Sequence, residues 1–238
     1  MTTAKSAQVQ TMFGRITRRY DLMNRVMTLG RDQAWRRLTA RALDLEGAPA
    51  PLVLDLATGT GDIALAVAER YPAARVIGAD FVYPMLEIAA QKDARSSSTA
   101  RRARIAFAQG DALRLPFPDA TFDGLTNGFL LRNLADLPGG LAEMRRVLKP
   151  GAKAACLEIT RPGAPIFRQL FQLYFYRAVP IIGAVVTGDR QAYTYLPNSL
   201  TLFPRAGALQ SLMLAAGFRE VTFRLLGLGT MALHVGAA

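Results

Sequence analysis

An apolar run that ends in an acid and breaks into a glycine turn, Val53-Leu54-Asp55-Leu56-Ala57-Thr58-Gly59-Thr60-Gly61-Asp62, constrains this chain more than any other stretch. It reads as a strand handing over to a helix through a tight turn. Gly59 and Gly61 let a ligand approach the backbone because no side chain stands in the way. The next apolar run, Arg75-Val76-Ile77-Gly78-Ala79, closes on Asp80. An acid there is placed to accept hydrogen bonds from ribose hydroxyls, so the pattern points to a nucleotide-type ligand.

Around this motif short apolar runs alternate with helical patterns. Strands are predicted at 52–56, 75–79, 104–108, 122–127 and 153–159, and helices at 61–70, 84–92 and 136–147. That alternation predicts an α/β fold with a mostly parallel, Rossmann-like sheet and helices on both faces. Phe218 to Leu225 and Leu228 to Val235, joined by Leu226-Gly227, read as an antiparallel pair at the sheet's end and bring the strands to seven. Helical patterns at 7–20 and 32–43 precede the break Gly47-Ala48-Pro49-Ala50-Pro51, so 1–50 is expected to be a helical cap on a single domain spanning 1–238. Between the fifth strand and the final pair, 161–210 is an insertion rich in Phe167, Leu170, Phe171, Leu173, Tyr174, Phe175 and Tyr176. So much apolar surface packs on the core, roofs an apolar pocket or touches a bilayer.

With 238 residues, 51% of them apolar, the chain has enough material for a core without a staple. Cys156 is its only cysteine, which excludes an intramolecular disulfide and a cysteine-rich zinc site; it reads as a small buried strand residue. No His-Glu-x-x-His run or aspartate cluster suggests a metal. With no secretory segment, the expected location is the cytoplasm. No run reaches the ~20 apolar residues a bilayer span requires, which predicts a soluble or peripheral protein. The net charge of +11 rests on arginines bunched at Arg15, Arg18, Arg19, Arg25, Arg31, Arg36, Arg37 and Arg41, and again at Arg95, Arg101, Arg102 and Arg104. Such a surface attracts polyanions, an anionic membrane face or nucleic acid among them, or is simply a solvated cationic face.

Two enzyme classes use an acid placed like Asp80. A dinucleotide dehydrogenase turns the glycines toward a pyrophosphate. A methyltransferase binds S-adenosylmethionine, which carries an ammonium and a sulfonium and no phosphate. Asp55 precedes the glycines, and Asp111 follows the third strand in Gln109-Gly110-Asp111-Ala112, where an acid accepts from an adenine amino group. Three strand-end acids in one crevice repel a pyrophosphate, so charge complementarity favours the methyltransferase.

Leu115-Pro116-Phe117-Pro118-Asp119, Phe122-Asp123 and Arg146-Val147-Leu148-Lys149-Pro150-Gly151 resemble the downstream motifs of class I S-adenosylmethionine-dependent methyltransferases. Tyr20-Asp21-Leu22-Met23-Asn24 with Trp35, Phe129-Leu130-Leu131-Arg132-Asn133, Leu157-Glu158, Tyr193-Thr194-Tyr195-Leu196 and Leu233-His234 resemble, more narrowly, the ubiquinone and menaquinone biosynthesis C-methyltransferases. The resemblance runs from about residue 9 to 235. It implies a cofactor site of Asp55, Gly59, Thr60, Gly61, Asp80, Asp111 and Ala112, with Gly128 where the family has a serine and with Tyr20, Asp21 and Asn24 closing the cap. Asp32 stands where the family has histidine, Thr28 for serine, and Leu130 and Ala152 for glycines.

What the resemblance implies for chemistry is methyl transfer to a ring carbon of demethylmenaquinol or a related polyprenylated quinol. Arg132 is expected to stabilise a developing phenolate, since a guanidinium is not itself a base, and Asn133 to orient a water. Tyr193 and Tyr195 clamp the ring, relay a proton or simply pack. His234, the only histidine, titrates in the right range for catalysis. A prenyl tail accounts for the apolar insertion, and the basic surface would hold the enzyme against anionic lipid, singly or as a homodimer. Asn127-Gly128-Phe129-Leu130 lacks the prolines of base-amino methyltransferases and counts against nucleic acid. A binding module with a relic cofactor fold is the non-enzymatic alternative.

Overall fold

The computed structural model describes residues 4–95 and 104–238. Arg101 and Arg102 of the second arginine cluster lie outside the described residues. Strands β1 (Leu52–Leu56), β2 (Arg75–Asp80), β3 (Ile105–Gln109), β4 (Phe122–Gly128), β5 (Leu148–Ile159), β6 (Arg219–Leu226) and β7 (Met231–Ala237) form one sheet in the order β3-β2-β1-β4-β5-β7-β6. The first five run parallel, and β7 is antiparallel to both of its neighbours. Helices α1 (Ala4–Ile16), α2 (Tyr20–Thr28), α3 (Asp32–Arg41), α4 (Asp62–Arg70), α5 (Tyr83–Ala94), α6 (Leu137–Val147), α7 (Pro165–Leu173), α8 (Val179–Thr187), α9 (Arg190–Thr201) and α10 (Ala206–Ala215) surround it. β1 is buried from Val53 to Leu56 because both faces of the sheet are covered there, and Asp55 is the one acid in it. The chain winds outward from β1 to β3 and returns to β4 on the other side of β1. That switch opens a crevice beyond the carboxyl ends of β1 and β4.

Three sequence expectations differ in detail. The helix predicted over 7–20 breaks at Thr17, whose hydroxyl donates to the carbonyls of Phe13 (2.7 Å) and Gly14 (3.1 Å) and bends the chain into a new helix, α2. β7 starts at Met231 and not Leu228, because Leu228 takes a left-handed conformation; it also inserts between β5 and β6, leaving β6 at the edge. The expectation that no run is long and apolar enough to cross a membrane meets one exception, by length and composition alone. α7, a π-helical turn (Tyr174–Ala178) and α8 make one helical run, Pro165–Val186, that meets the requirement by length and composition. Arg168, Arg177 and Pro180 interrupt the apolar letters without interrupting the helix. Its buried face is Phe171, Phe175 and Val179, with the two phenyl rings stacked at 4.8 Å.

Candidate active site

Two cavities meet in the crevice. One of about 90 Å³ lies against the glycine turn, and one of about 510 Å³ lies under α1, α2 and the insertion. Phe13, Tyr20 and Phe129 line both and form the wall between them. Phe129 has a φ of +62°, so the chain turns back sharply as it leaves β4 and sets the ring in that wall.

In the smaller cavity Asp80 is the only charged lining residue among the described residues. Its two carboxylate oxygens accept the backbone N–H groups of Gly59 (2.7 Å) and Val82 (2.8 Å). Burial pushes this carboxyl above the ordinary range, and those N–H groups oppose the shift. A Cβ at Gly59 would meet nothing within 4 Å, so the space over the turn is open. A Cβ at Gly128 would come within 2.8 Å of Ile63 Cδ1, so a larger residue there requires that side-chain end to shift. Gly128 and Ala112 line this cavity, and Gly110 does so beside Asp111. The Asp111 carboxylate itself accepts the Leu113 N–H at 2.9 Å. Gly61, at φ +84°, lets α5 pack on the start of α4.

Asp55 is placed otherwise than expected. Its buried carboxylate accepts from Thr58 Oγ1 (2.6 Å), Thr126 Oγ1 (2.7 Å) and the Ala64 N–H (3.0 Å), and it lines neither cavity. It shapes the turn; burial among neutral donors pushes its pKa up to about 6. Thr60 likewise lines neither cavity. Its hydroxyl donates to Asp21 Oδ1 (2.6 Å) and accepts from Lys92 Nζ (3.0 Å). Lys92 in turn pairs with Asp21 and Asp62, and Asp62 with Arg36 at 2.9 Å. Burial would raise the Asp62 pKa, but Arg36 and Lys92 hold it below the ordinary range. This cluster ties α2 and α3 of the cap to α4 and α5 of the sheet, a link invisible in a sequence where its members lie tens of residues apart.

On the larger cavity's wall, the Arg132 guanidinium forms a buried ion pair with Glu158, through Nη1, and lies 5.5 Å from the Phe129 ring centroid. Its Nε has no protein partner. Glu158, at the end of β5, also accepts the N–H groups of Arg132 (3.3 Å) and Ile159 (2.9 Å). In the sequence it showed as an acid interrupting the apolar run Ala154 to Ile159 and as part of the Leu157-Glu158 element of the resemblance, with no role attached. Asn133 donates to the Phe129 carbonyl (2.8 Å) and accepts from the Tyr195 hydroxyl (3.2 Å), two bonds that fix it on the wall. Tyr193 and Tyr195 both line the larger cavity. His234 is a correction: it lines neither cavity. Its Nε2 meets the Ala206 carbonyl at 2.9 Å, its ring packs 5.3 Å from Phe223, and burial lowers its pKa.

The ubiE/COQ5 methyltransferase family model matches residues 1–238. The chain belongs to that family. A demethylmenaquinone methyltransferase of Deinococcus radiodurans is 47% identical over 232 residues, covering 98% of this chain and 93% of its own. One of Thermus thermophilus is 46% identical over 226 residues, covering 94% and 99%. Among solved structures, a SAM-dependent methyltransferase of Thermotoga maritima superposes with a TM-score of 0.62 at 18% identity, over 95% of this chain and 98% of its own. Haemonchus contortus phosphoethanolamine N-methyltransferase 2, in complex with S-adenosyl-L-methionine, gives 0.54 at 18%, over 79% and 38%; both share the fold.

This methyltransferase uses S-adenosylmethionine. The smaller cavity suits that cofactor chemically: a lone carboxylate among apolar and glycine positions favours a neutral adenosine bearing cationic groups over a phosphate. At about 90 Å³ it is narrow for such a molecule. α1 closes it, with Val9 and Phe13 on the cavity and Gln10 Nε2 donating to the Phe81 carbonyl at 3.1 Å.

Proposed function

We propose that this methyltransferase methylates a ring carbon of a polyprenylated quinol, demethylmenaquinol, at the shared wall of the two cavities. The observation that carries the reading is that wall: a cofactor-type cavity with one acid abuts, through Phe13, Tyr20 and Phe129, a far larger and predominantly apolar cavity. The printed names of the relatives support the same acceptor. S-adenosylmethionine supplies an electrophilic methyl group. The acceptor carbon becomes nucleophilic when a hydroxyl ortho to it loses its proton and the oxygen's charge spreads into the ring. Arg132, kept in place by Glu158 and with Nε unspent, stabilises that oxygen. It does not take the proton, which passes to water. Tyr195 and Asn133 hold the wall, and the ring proton is lost once the new carbon–carbon bond has formed.

Such an acceptor resides in a bilayer. Three helices beside the larger cavity present exposed apolar stripes: Leu22 and Val26 on α2 with Leu29 just past its end, Ile166, Leu170 and Leu173 on α7, and Ile181 and Val185 on α8. Exposed Arg18, Arg25, Arg31 and Arg177 accompany them. An apolar stripe flanked by cations is suited to lie on an anionic membrane surface. Phe171, Phe175 and Val179 belong to the core, so the Pro165–Val186 run lies along the membrane and does not span it.

The test is incubation with methyl-labelled S-adenosylmethionine and reduced demethylmenaquinone, with the product identified by mass. Arg132→Lys is expected to cut turnover about 10²- to 10³-fold, the scale of a lost oxyanion donor, with cofactor affinity in titration within about twofold of wild type. A labelled product absent from the quinone fraction sinks the substrate reading, and unchanged turnover sinks the role of Arg132.

A further inference from the structure

Seven non-glycine residues among those described have positive φ, and four of them line the two cavities: Ala57, Phe129, Leu29 and Leu228. The two leucines are the unusual pair. Leu29 (φ +52°) ends α2, where the Gly30 N–H reaches back to the Arg25 carbonyl at 2.8 Å. This is the helix ending in which the left-handed position ordinarily falls to glycine, yet the glycine here comes one residue later. Leu228 (φ +58°) sits between Gly227 and Gly229 in the β6–β7 turn. A leucine is strained in this conformation, and burial does not repay it: Leu29 is 89% exposed and Leu228 72%. Both nonetheless line the larger cavity, so they stand at its mouth. Tyr174 frames the third side, its hydroxyl donating to the Met27 carbonyl at 3.0 Å. Gly227 lets the turn lie against the Trp35 ring, which a Cβ there would meet at 2.9 Å.

We infer that Leu29 and Leu228 are the two lips of a port through which the acceptor's isoprenoid tail leaves the protein. This rests on the reading of the acceptor as a polyprenylated quinol. A cavity of about 510 Å³ holds one drug-sized molecule. A bicyclic quinol ring with the start of its tail fills it, and the remaining isoprene units must pass the mouth. Two strained apolar side chains on separate loops give the tail a greasy passage that a pair of glycines would not.

The experiment compares wild type with Leu29→Asn/Leu228→Asn on two acceptors held in the same mild detergent without a bilayer: reduced naphthoquinol analogues carrying either no tail or three isoprene units. Asparagine tolerates the left-handed conformation, so the melting temperature is expected not to fall. The expected result is a tenfold or greater loss in kcat/KM for the tailed acceptor, with the tailless one within about twofold of wild type and cofactor affinity unchanged. Equal kcat/KM on the tailed acceptor, or equal losses on both, overturns the port. If wild type methylates neither acceptor, the quinol reading itself fails, and the port with it.

Discussion

Asp55 and Glu158 are both carboxylates buried at strand ends, and they differ in what surrounds them. Glu158 has the Arg132 guanidinium, and removing either partner of such a buried pair typically costs about 3–5 kcal/mol. Asp55 has three neutral donors, and its pKa stands at about 6 against an ordinary 3.8. Between those two values the folded protein holds a proton that the unfolded chain has released. The contribution of Asp55 to stability is therefore full below about pH 4 and is lost as pH rises through about 6, by about 2–3 kcal/mol. Denaturant melts at pH 4 and pH 7 on wild type and Asp55→Asn check this: the wild type's stability relative to the variant is expected to drop by that amount at the higher pH. A difference that does not change with pH refutes it. From sequence, Asp80 was readable because its place at the end of β2 fixes what it faces. Asp55 was not, because one of its partners, Thr126, lies on a neighbouring strand.

At the scale of elements, the strands and sheet-flanking helices were legible because their apolar runs and glycine breaks are local signals. α2 was hidden because the break at Thr17 depends on a single hydroxyl, and the order of β7 and β6 because neither strand's pattern says which one meets β5. The sequence likewise offered no unbroken apolar run for α7 and α8, whose helical geometry collects scattered leucines and isoleucines onto one side. If that side lies on anionic lipid, Leu170→Glu/Leu173→Glu places two charges on an exposed stripe at little cost to folding. Co-sedimentation with vesicles containing anionic lipid is expected to fall at least fivefold while the melting temperature stays close to wild type. Pelleting equal to wild type removes α7 from the membrane contact.

For the whole molecule, if the smaller cavity takes the cofactor, its narrowness and its helical cover require binding and cap motion to be coupled. α1 is held at its ends by Lys5, whose Nζ donates to the Leu134 carbonyl at 2.5 Å, and by Arg15, paired with Asp189 at 2.8 Å. The cluster around Lys92 keeps α2 and α3 on the sheet. α1 has no member in that cluster, so it is expected to be the part that rises, breaking the Lys5, Gln10 and Arg15 contacts as it does. Hydrogen exchange is expected to slow over α1 when S-adenosylmethionine is added, with little change in α3 and β1. Equal protection in α1 with and without the cofactor argues that the crevice is reached by another way.

The sheet's order carries a consequence for how the molecule is made. β7 is seven residues long and supplies the ladders to both β5 and β6, although β6 precedes it in the chain. In folding, β6 has no partner and β5 keeps an open apolar border until β7 joins them in one event. Until then β5 presents an unpaired β edge, the part of this sheet most open to pairing with another chain.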